Sequence, residues 1–489
     1  MAAIRSDRLA LTPTALWDQL QPHWLVDPGA DGQQAVWEER VCDRRHQLEQ
    51  FAQQTPISDR PLVLLADADP LEFLAGFWAA LLAGWQVALA NPQWGAHEWT
   101  SARQLIRPQI IWGKAAALSI EASPWEKSDS DHPNSTEPAI LIPTGGSGGQ
   151  IKFARHRWSS LMASAEGFCR YFRPDDGPVN VYCVLPVYHV SGLMQMLRAW
   201  VSGGQVAIAP FKQLEASQPQ VHHPQDWFIS LVPTQLERLM QSGKSAWLSK
   251  FQAVLLGGAP AWTSLLDRAA AQQIPLCLSY GMTETAAMVT ALRPQAFLQG
   301  DRSCGPALPH VTVQIVQTGQ PLPPGEIGQI TVSSGALAAL SSGGMAQGTF
   351  TTDDLGYLSP DGHLHITGRA SGKIISGGEN VFPAEVESVL RGTGQVKDVC
   401  VVGLPHLQWG EAVTAAYVPI DSEVSEGSLR QAIARQLSPY KQPKQWIPLK
   451  ALPRNLQGKV NRQALLAQIA LLSSQADRAL ADDGSDRPY

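Results

Sequence analysis

Residues 139–153 read AILIPTGGSGGQIKF, an apolar run followed by a stretch holding four glycines. The run 139–142 reads as a strand, and the Gly-rich stretch as the loop that leaves it. Without side chains at Gly145, Gly146 and Gly148, backbone N–H groups can close around an anionic oxygen group. The hydroxyls of Thr144 and Ser147 can join them, and Lys152 adds positive charge. The terminal GK[ST] of a Walker A loop is missing. A flexible surface turn has the same composition, so the stretch decides the fold only together with what surrounds it.

Strand–turn–helix units surround it. Residues 61–65 (PLVLL) lead to a helical stretch, 71–82, and a second strand, 86–90. Trp158, Leu161, Met162, Ala165, Phe168, Cys169 and Phe172 recur at helical spacing before the strand 179–185. Further apolar runs at 228–232, 251–256 and 275–278 end at Pro233, at Gly257-Gly258-Ala259-Pro260 and at Tyr280-Gly281. Buried strands alternating with helices predict an α/β architecture of layered, parallel sheets in a large N-terminal domain. From about Val311 the texture changes to short alternating strands (VTVQIV, GQITVSS, GHLHIT) joined by PLPPGE and SPDGH, a small β-rich subdomain over about 311–368. A separate small α+β segment follows, with Pro383 opening a helix over 384–390, Gly392 ending it, a strand at 396–402 and a helix at 429–437. The expected domains are 1–368 and 374–473, with a polar, acidic, disordered tail at 474–489.

At 489 residues, 44% apolar and 16% charged, the chain is long enough for about two to four domains with large interiors. A net charge of −6 gives no electrostatic footprint for nucleic acid. The six cysteines are scattered, with no CxxC, as expected of free thiols in a reducing compartment. Residues 71–90 are apolar enough to raise a membrane span, but Glu72, Gly84 and Gln86 interrupt them, and a core helix feeding a strand is expected instead. No signal-peptide h-region opens the chain, so a cytoplasmic protein without an integral membrane segment is expected.

Tyr280-Gly281-Met282-Thr283-Glu284 follows a short strand, and ligands of open α/β sheets bind at strand carboxyl ends. A Thr283 hydroxyl can contact phosphate, Glu284 can hold a hard cation such as Mg²⁺, and Tyr280 offers a flat face to a purine. A helix N-terminus with an acidic first turn is the plainer alternative. Asp354 (in TTDDLG) and Arg369 (in TGRAS) are candidates for ribose or phosphate, or simple turn residues. Lys459, in QGKV, is a mobile point charge in a tight turn that could bridge a carboxylate and a phosphate, or stay solvated. His189, in LPVYHVSG, lines a pocket beside Tyr188 or is a packed histidine. Arg198, in an apolar helix, needs a partner or an exit to solvent, and a substrate carboxylate is one candidate.

In order and spacing these segments resemble the adenylate-forming superfamily of acyl-CoA synthetases, nonribosomal-peptide adenylation domains and firefly luciferase, over about residues 61–466. The short length, LPVYHVSG and IISGGENVFPAEVE resemble the o-succinylbenzoate–CoA ligases of menaquinone and phylloquinone synthesis. The resemblance implies an AMP-forming acid–thiol ligase using ATP, Mg²⁺ and coenzyme A on a small carboxylate. Thr144, Gly145, Gly146, Ser147, Gly148 and Lys152 would lie over the ATP phosphates. Gly257, Gly258, Ala259, Tyr280, Gly281 and Met282 would line the adenine and acyl pockets. Thr283 would contact the α-phosphate, Glu284 the metal, and Asp354 and Arg369 the ribose. His189, Ser191 and Gly192, with Arg198, would border the acyl group. Lys459 would be the adenylation lysine, Ser371 the hinge (369–373) about which a mobile C-terminal domain rotates, and Gly377 and Gly378 part of the face that meets CoA.

Three departures stand out. Ile151-Lys152-Phe153 replaces the usual Pro-Lys-Gly, Asp353 stands where glycine is usual, and Ser371-Gly372 replaces an acidic pair. Because Lys152, Asp354 and Lys459 remain, an active enzyme is expected. The competing readings are a ligase for another aryl or medium-chain acid, a carrier-loading module (no carrier domain follows residue 466) and a scaffold that has lost catalysis.

Overall fold

The structure, a computed structural model, describes residues 11–26, 33–54, 61–113, 137–145, 151–216, 223–340, 348–376, 379–406, 409–434, 436–437, 439–455 and 458–482. The chain divides into two compact units. Residues 1–145, 150–260 and 265–366 form the first, and 146–149, 261–264 and 367–489 the second.

The first unit is built on two six-stranded sheets. One runs in the order Ala339–Leu340, Ile151–Arg157, Ala139–Gly145, Gln86–Leu89, Leu62–Ala66, Ile110–Gly113. Its last four strands are mutually parallel. All five residues of Leu62–Ala66 are buried, as continuous apolar strands covered on both faces must be. The helix Pro70–Leu82 is capped by Asp69, whose carboxylate accepts from the Leu71 and Glu72 N–H groups at 2.9 Å. Its residues from Phe73 to Leu81 are all buried, so the apolar stretch 71–90 is core helix and strand. No helix among the described residues is long and apolar enough to cross a membrane.

The second sheet runs Ala287–Ala291, Leu276–Met282, Ala253–Leu256, Trp227–Leu231, Asn180–Cys183, Val206–Ile208. All its pairs are parallel except the first. A five-stranded antiparallel sheet then follows the expected texture, with strands Val311–Gln317, Gly328–Ser334, Thr349–Leu358 and Leu364–Arg369.

Two elements differ from expectation. The residues after the Gly-rich stretch form a strand, Ile151–Arg157, antiparallel to Ala139–Gly145, so that stretch closes a hairpin. Seven residue pairs in continuous register with Ala139–Gly145 hold it as a strand despite its charged residues. The strand Leu276–Met282 also continues through Tyr280-Gly281-Met282 rather than stopping before them.

A tryptophan cluster closes the core of the first unit. Trp78 lies 5.4 Å from Trp17, 5.1 Å from Trp200 and 6.0 Å from Trp158, and Trp24 lies 5.0 Å from Trp37 and 5.4 Å from Trp200. It ties the N-terminal segment to the rest, helped by a Leu25–Val206 bridge beside the second sheet.

In the second unit, Gly410–Pro419 pairs with Val396–His406, Ile374–Ser376 and Gln445–Pro448, with Glu379–Val381 beside Ile374–Ser376. Helices Pro383–Gly392 and Glu426–Ile433 bury Val386, Leu390, Leu429 and Ile433 in this unit's core. Gly392 is the last helical residue and Thr393 the cap, and Gly394 takes the left-handed position at φ +71°. The final helix, Arg462–Asp482, runs through residues expected in the tail, consistent with their Ala and Leu content. All six cysteines are free.

Trp78→Ala removes the ring at the centre of the tryptophan cluster and is expected to destabilise the first unit by about 3–5 kcal/mol, read as a lowered urea midpoint.

Candidate active site

The site forms where Leu276–Met282 reverses direction. Gly281 makes the reversal possible, because a Cβ there would stand 1.8 Å from the Ala287 carbonyl oxygen. The sheet register shifts between Tyr280 and Gly281. Thr283–Thr285 then form one 3₁₀ turn, not the start of an α-helix. The turn leaves through two alanines in left-handed backbone, Ala286 at φ +51° and Ala287 at φ +75°. The Thr285 hydroxyl accepts from the Met282 N–H at 3.1 Å and donates to the Ala287 carbonyl at 2.8 Å.

Residues of the first sheet reach this turn. Thr144 Oγ1 donates to Glu284 Oε1 at 3.1 Å, and the Ala338 N–H donates to the Glu284 carbonyl at 2.9 Å. His156 Nε2 contacts the Thr283 carbonyl at 2.7 Å, and Ser164 Oγ donates to the Ala286 carbonyl at 2.7 Å. On the other side, the Tyr280 hydroxyl donates to Asp354 Oδ2 at 2.8 Å. Thr144, Thr283 and Glu284 are therefore brought together, as are Tyr280 and Asp354. Asp354 lies inside the strand Thr349–Leu358 and is 8% exposed, so it is not a surface turn residue.

Gly257, Gly258 and Ala259 leave the parallel neighbour strand, Ala253–Leu256. Gly258 has φ +78°, and a Cβ on Gly257 would stand 2.8 Å from Ser279 Oγ. His189 precedes the helix Val190–Ser202, whose first turn carries Ser191 and Gly192, and its ring lies 4.7 Å from that of Tyr188. Lys152 pairs with Thr144 across the hairpin, and Gly145 with Ile151. Gly146, Ser147 and Gly148 lie outside the described residues.

Arg198 stands apart from this group. It lies two and a half turns beyond His189, about 13 Å along the helix and on its opposite face. It is buried, with its guanidinium 4.1 Å from the Phe168 ring centroid. Its Nε has no hydrogen-bond partner, and burial pushes its pKa down to about 10. This placement does not bring Arg198 beside His189, with which it was expected to border the acyl group. The stacking on Phe168 explains how the core tolerates the charge.

In the second unit, Arg369 ends the strand Leu364–Arg369 and is exposed, and Ser371 lies in the short 3₁₀ turn Ala370–Gly372. Gly377 and Gly378 lie outside the described residues. Lys459 is exposed in a tight turn, where its carbonyl accepts from the Asn455 N–H at 2.8 Å and its N–H donates to Asn455 Oδ1 at 2.9 Å. Gly458, at φ +74°, makes that turn possible.

Among the described residues no group of three or more His, Cys, Asp or Glu is arranged to hold a metal ion. Glu284 offers a single carboxylate beside a hydroxyl. That donor set fits magnesium, which keeps its waters and takes further ligands from substrate phosphates.

Comparison with known proteins decides the family. The AMP-binding enzyme family matches residues 57–340, and the AMP-binding enzyme C-terminal domain matches 385–459. The chain belongs to the AMP-binding enzyme family. A 2-succinylbenzoate–CoA ligase of Enterococcus faecalis is 32% identical over 346 residues, 68% of this chain and 69% of that protein. Another, from Listeria monocytogenes, is 34% identical over 324 residues, 66% and 67% of the two chains. The o-succinylbenzoate CoA synthetase of Bacillus subtilis, in complex with the acyl-adenylate intermediate OSB-AMP, superposes with a TM-score of 0.75 at 25% identity, covering 91% of this chain and 98% of that one. The same enzyme in complex with ATP and magnesium gives 0.76 at 25% identity, over 91% and 99%. The expected α/β fold and the expected adenylate-forming CoA-ligase class are both met.

His156 was not singled out in the sequence. It lies in the strand Ile151–Arg157, and Ser160 and Ser164 follow on the buried face of the helix Trp158–Phe172.

Two histidines set a pH dependence. Burial lowers His156 from the ordinary 6.5 to about 4, and burial together with the Arg198 charge lowers His310 to about 4. Between those values the unfolded chain binds up to about two more protons than the folded one. Stability is therefore complete above pH 6.5 and falls as pH drops toward 4. Urea unfolding across this window is expected to show that slope, reduced by about half in His310→Gln.

Proposed function

We propose that this chain activates 2-succinylbenzoate as its acyl-AMP and transfers it to coenzyme A, in the cytoplasm, within menaquinone or phylloquinone synthesis. The observation that carries this is the Thr144–Glu284 hydrogen bond, which joins two motifs 140 residues apart at the carboxyl end of a parallel strand. The choice of acid rests on the relatives' activity.

In the first half-reaction a carboxylate oxygen of the acid attacks the α-phosphorus of ATP. The bond to the bridging oxygen breaks, and pyrophosphate leaves with that electron pair. Negative charge on the α-phosphate oxygens is met by the Thr283 hydroxyl and by the Lys459 ammonium, which also reaches the attacking carboxylate. Magnesium, when bound at Glu284, offsets the charge of the phosphates. Thr144, Lys152 and the Gly-rich stretch between them are assigned to the β- and γ-phosphates. Tyr280 presents its ring to adenine while its hydroxyl stays on Asp354, whose other oxygen accepts from the ribose. Arg369 adds a donor to the ribose or phosphate. Gly257, Gly258, Ala259 and Gly281 supply walls without bulk near the nucleotide and acyl group, Met282 adds an apolar side chain, and His189, Ser191 and Gly192 border the acid.

In the second half-reaction the CoA thiolate attacks the acyl carbonyl carbon and AMP leaves. Lys459 is assigned to the first half-reaction alone. Gly377 and Gly378 are assigned to CoA in the second, with Ser371 as the hinge.

Mass spectrometry after mixing the protein with Mg·ATP, CoA and 2-succinylbenzoate is expected to show the mono-CoA thioester and AMP. AMP with other acids and none with this one would refute the assigned acid. Lys459→Ala is expected to abolish ATP–pyrophosphate exchange while thioester formation from supplied acyl-AMP persists. Arg198→Ala is expected to leave the KM for 2-succinylbenzoate unchanged, since its guanidinium packs on Phe168.

A further inference from the structure

The Thr283–Ala287 turn places two proposed reacting groups in backbone that is costly to hold. Consecutive alanines with positive φ persist only where their surroundings over-determine them. The buried side of the turn is held by His156 on the Thr283 carbonyl and Ser164 on the Ala286 carbonyl. Ser160 joins them, with its Oγ 3.1 Å from His156 Nδ1 and within 3.1 Å of the Arg157 N–H. His156 is 0% exposed, Ser160 5% and Ser164 1%, so water does not compete for these contacts.

A carbonyl only accepts, so His156 Nε2 carries a proton toward Thr283, while Nδ1 lies 3.1 Å from Ser160 Oγ, whose own proton goes to the Arg157 carbonyl at 2.8 Å. The ring is a neutral donor with a set orientation. It also stands on the same face of its strand as Lys152, four residues earlier, and Lys152 pairs with Thr144 across the hairpin. One short strand thus carries the phosphate-loop lysine at one end and the anchor of Thr283 at the other.

We propose that His156 is a positioning residue for acyl-adenylate formation: through Nε2–H it holds the Thr283 carbonyl and so sets where the Thr283 hydroxyl and the Glu284 carboxylate stand relative to the phosphate loop. This rests on the proposed function, because the groups it positions matter only for chemistry at an α-phosphate. His156 touches neither substrate nor metal itself. Its effect belongs to the first half-reaction, where those two groups meet developing charge, and not to thiol attack.

The test compares the native protein with His156→Gln and His156→Asn. Both substitutions are polar and fill similar space. Only the Gln amide extends to the place of Nε2 and can donate to the Thr283 carbonyl. ATP–pyrophosphate exchange, thioester formation from supplied acyl-AMP, and thermal melting are measured for each. His156→Asn is expected to lower the kcat of exchange roughly ten- to a hundredfold, the range that follows from misplacing reacting groups. Thioester formation is expected to stay within about twofold of native, and His156→Gln to recover most of the lost exchange. Equal exchange in the Asn and Gln variants would overturn the proposal. So would a loss shared equally by both half-reactions, which a purely structural role predicts. If the native protein exchanges pyrophosphate with none of a panel of carboxylic acids, the functional reading falls and takes this inference with it. Exchange by the native protein that survives in His156→Asn refutes the inference alone.

Discussion

Everything near the site depends on the chain reversing tightly at the end of one parallel strand. At Gly281 the backbone passes so close to the Ala287 carbonyl that no side chain fits, and the returning strand Ala287–Ala291 closes the sheet's edge as an antiparallel partner. The reversal costs strain at Ala286 and Ala287, and buried hydrogen bonds from the first sheet and its helix compensate it. The turn in turn links the two parallel sheets, because Thr144 leaves one of them and Glu284 the other. A loop free to move would hold these groups less well than a turn clamped on its buried side and open on the other.

The electrostatics follow from that arrangement. The interior behind the turn is polar but neutral, with imidazole and hydroxyls meeting carbonyls, and burial keeps both His156 and His310 unprotonated. Glu284 and Lys152 are more exposed and stand on the open side. Arg198 is the exception, a buried guanidinium offset by the face of Phe168 rather than by an acid. Its position in an apolar helix invited a partner in the sequence, and in the fold its guanidinium packs on an aromatic ring.

Much of the site was legible because its chemistry is local. The Gly-rich stretch 145–149 and the Tyr280–Glu284 run were each expected at the end of an apolar strand, and Glu284 meets Thr144 there. Period-two and period-3.6 apolar patterns located most strands and helices within a few residues. What escaped was the strand Ile151–Arg157, whose charged residues and lack of alternation leave no strand signal, and the burial of Asp354 inside a strand.

By itself, the sequence determined the α/β class, the order of the motifs and the kinds of side chain available for binding phosphate, ribose and metal, because spacing and composition act over a few residues at a time. Tertiary structure alone decided that Thr144 meets Glu284, that Tyr280 meets Asp354, that His156 reaches the Thr283 carbonyl and that Arg198 points into the core. Each of those contacts joins residues from different elements, and it exists only once strand register and helix packing have set the direction of both partners.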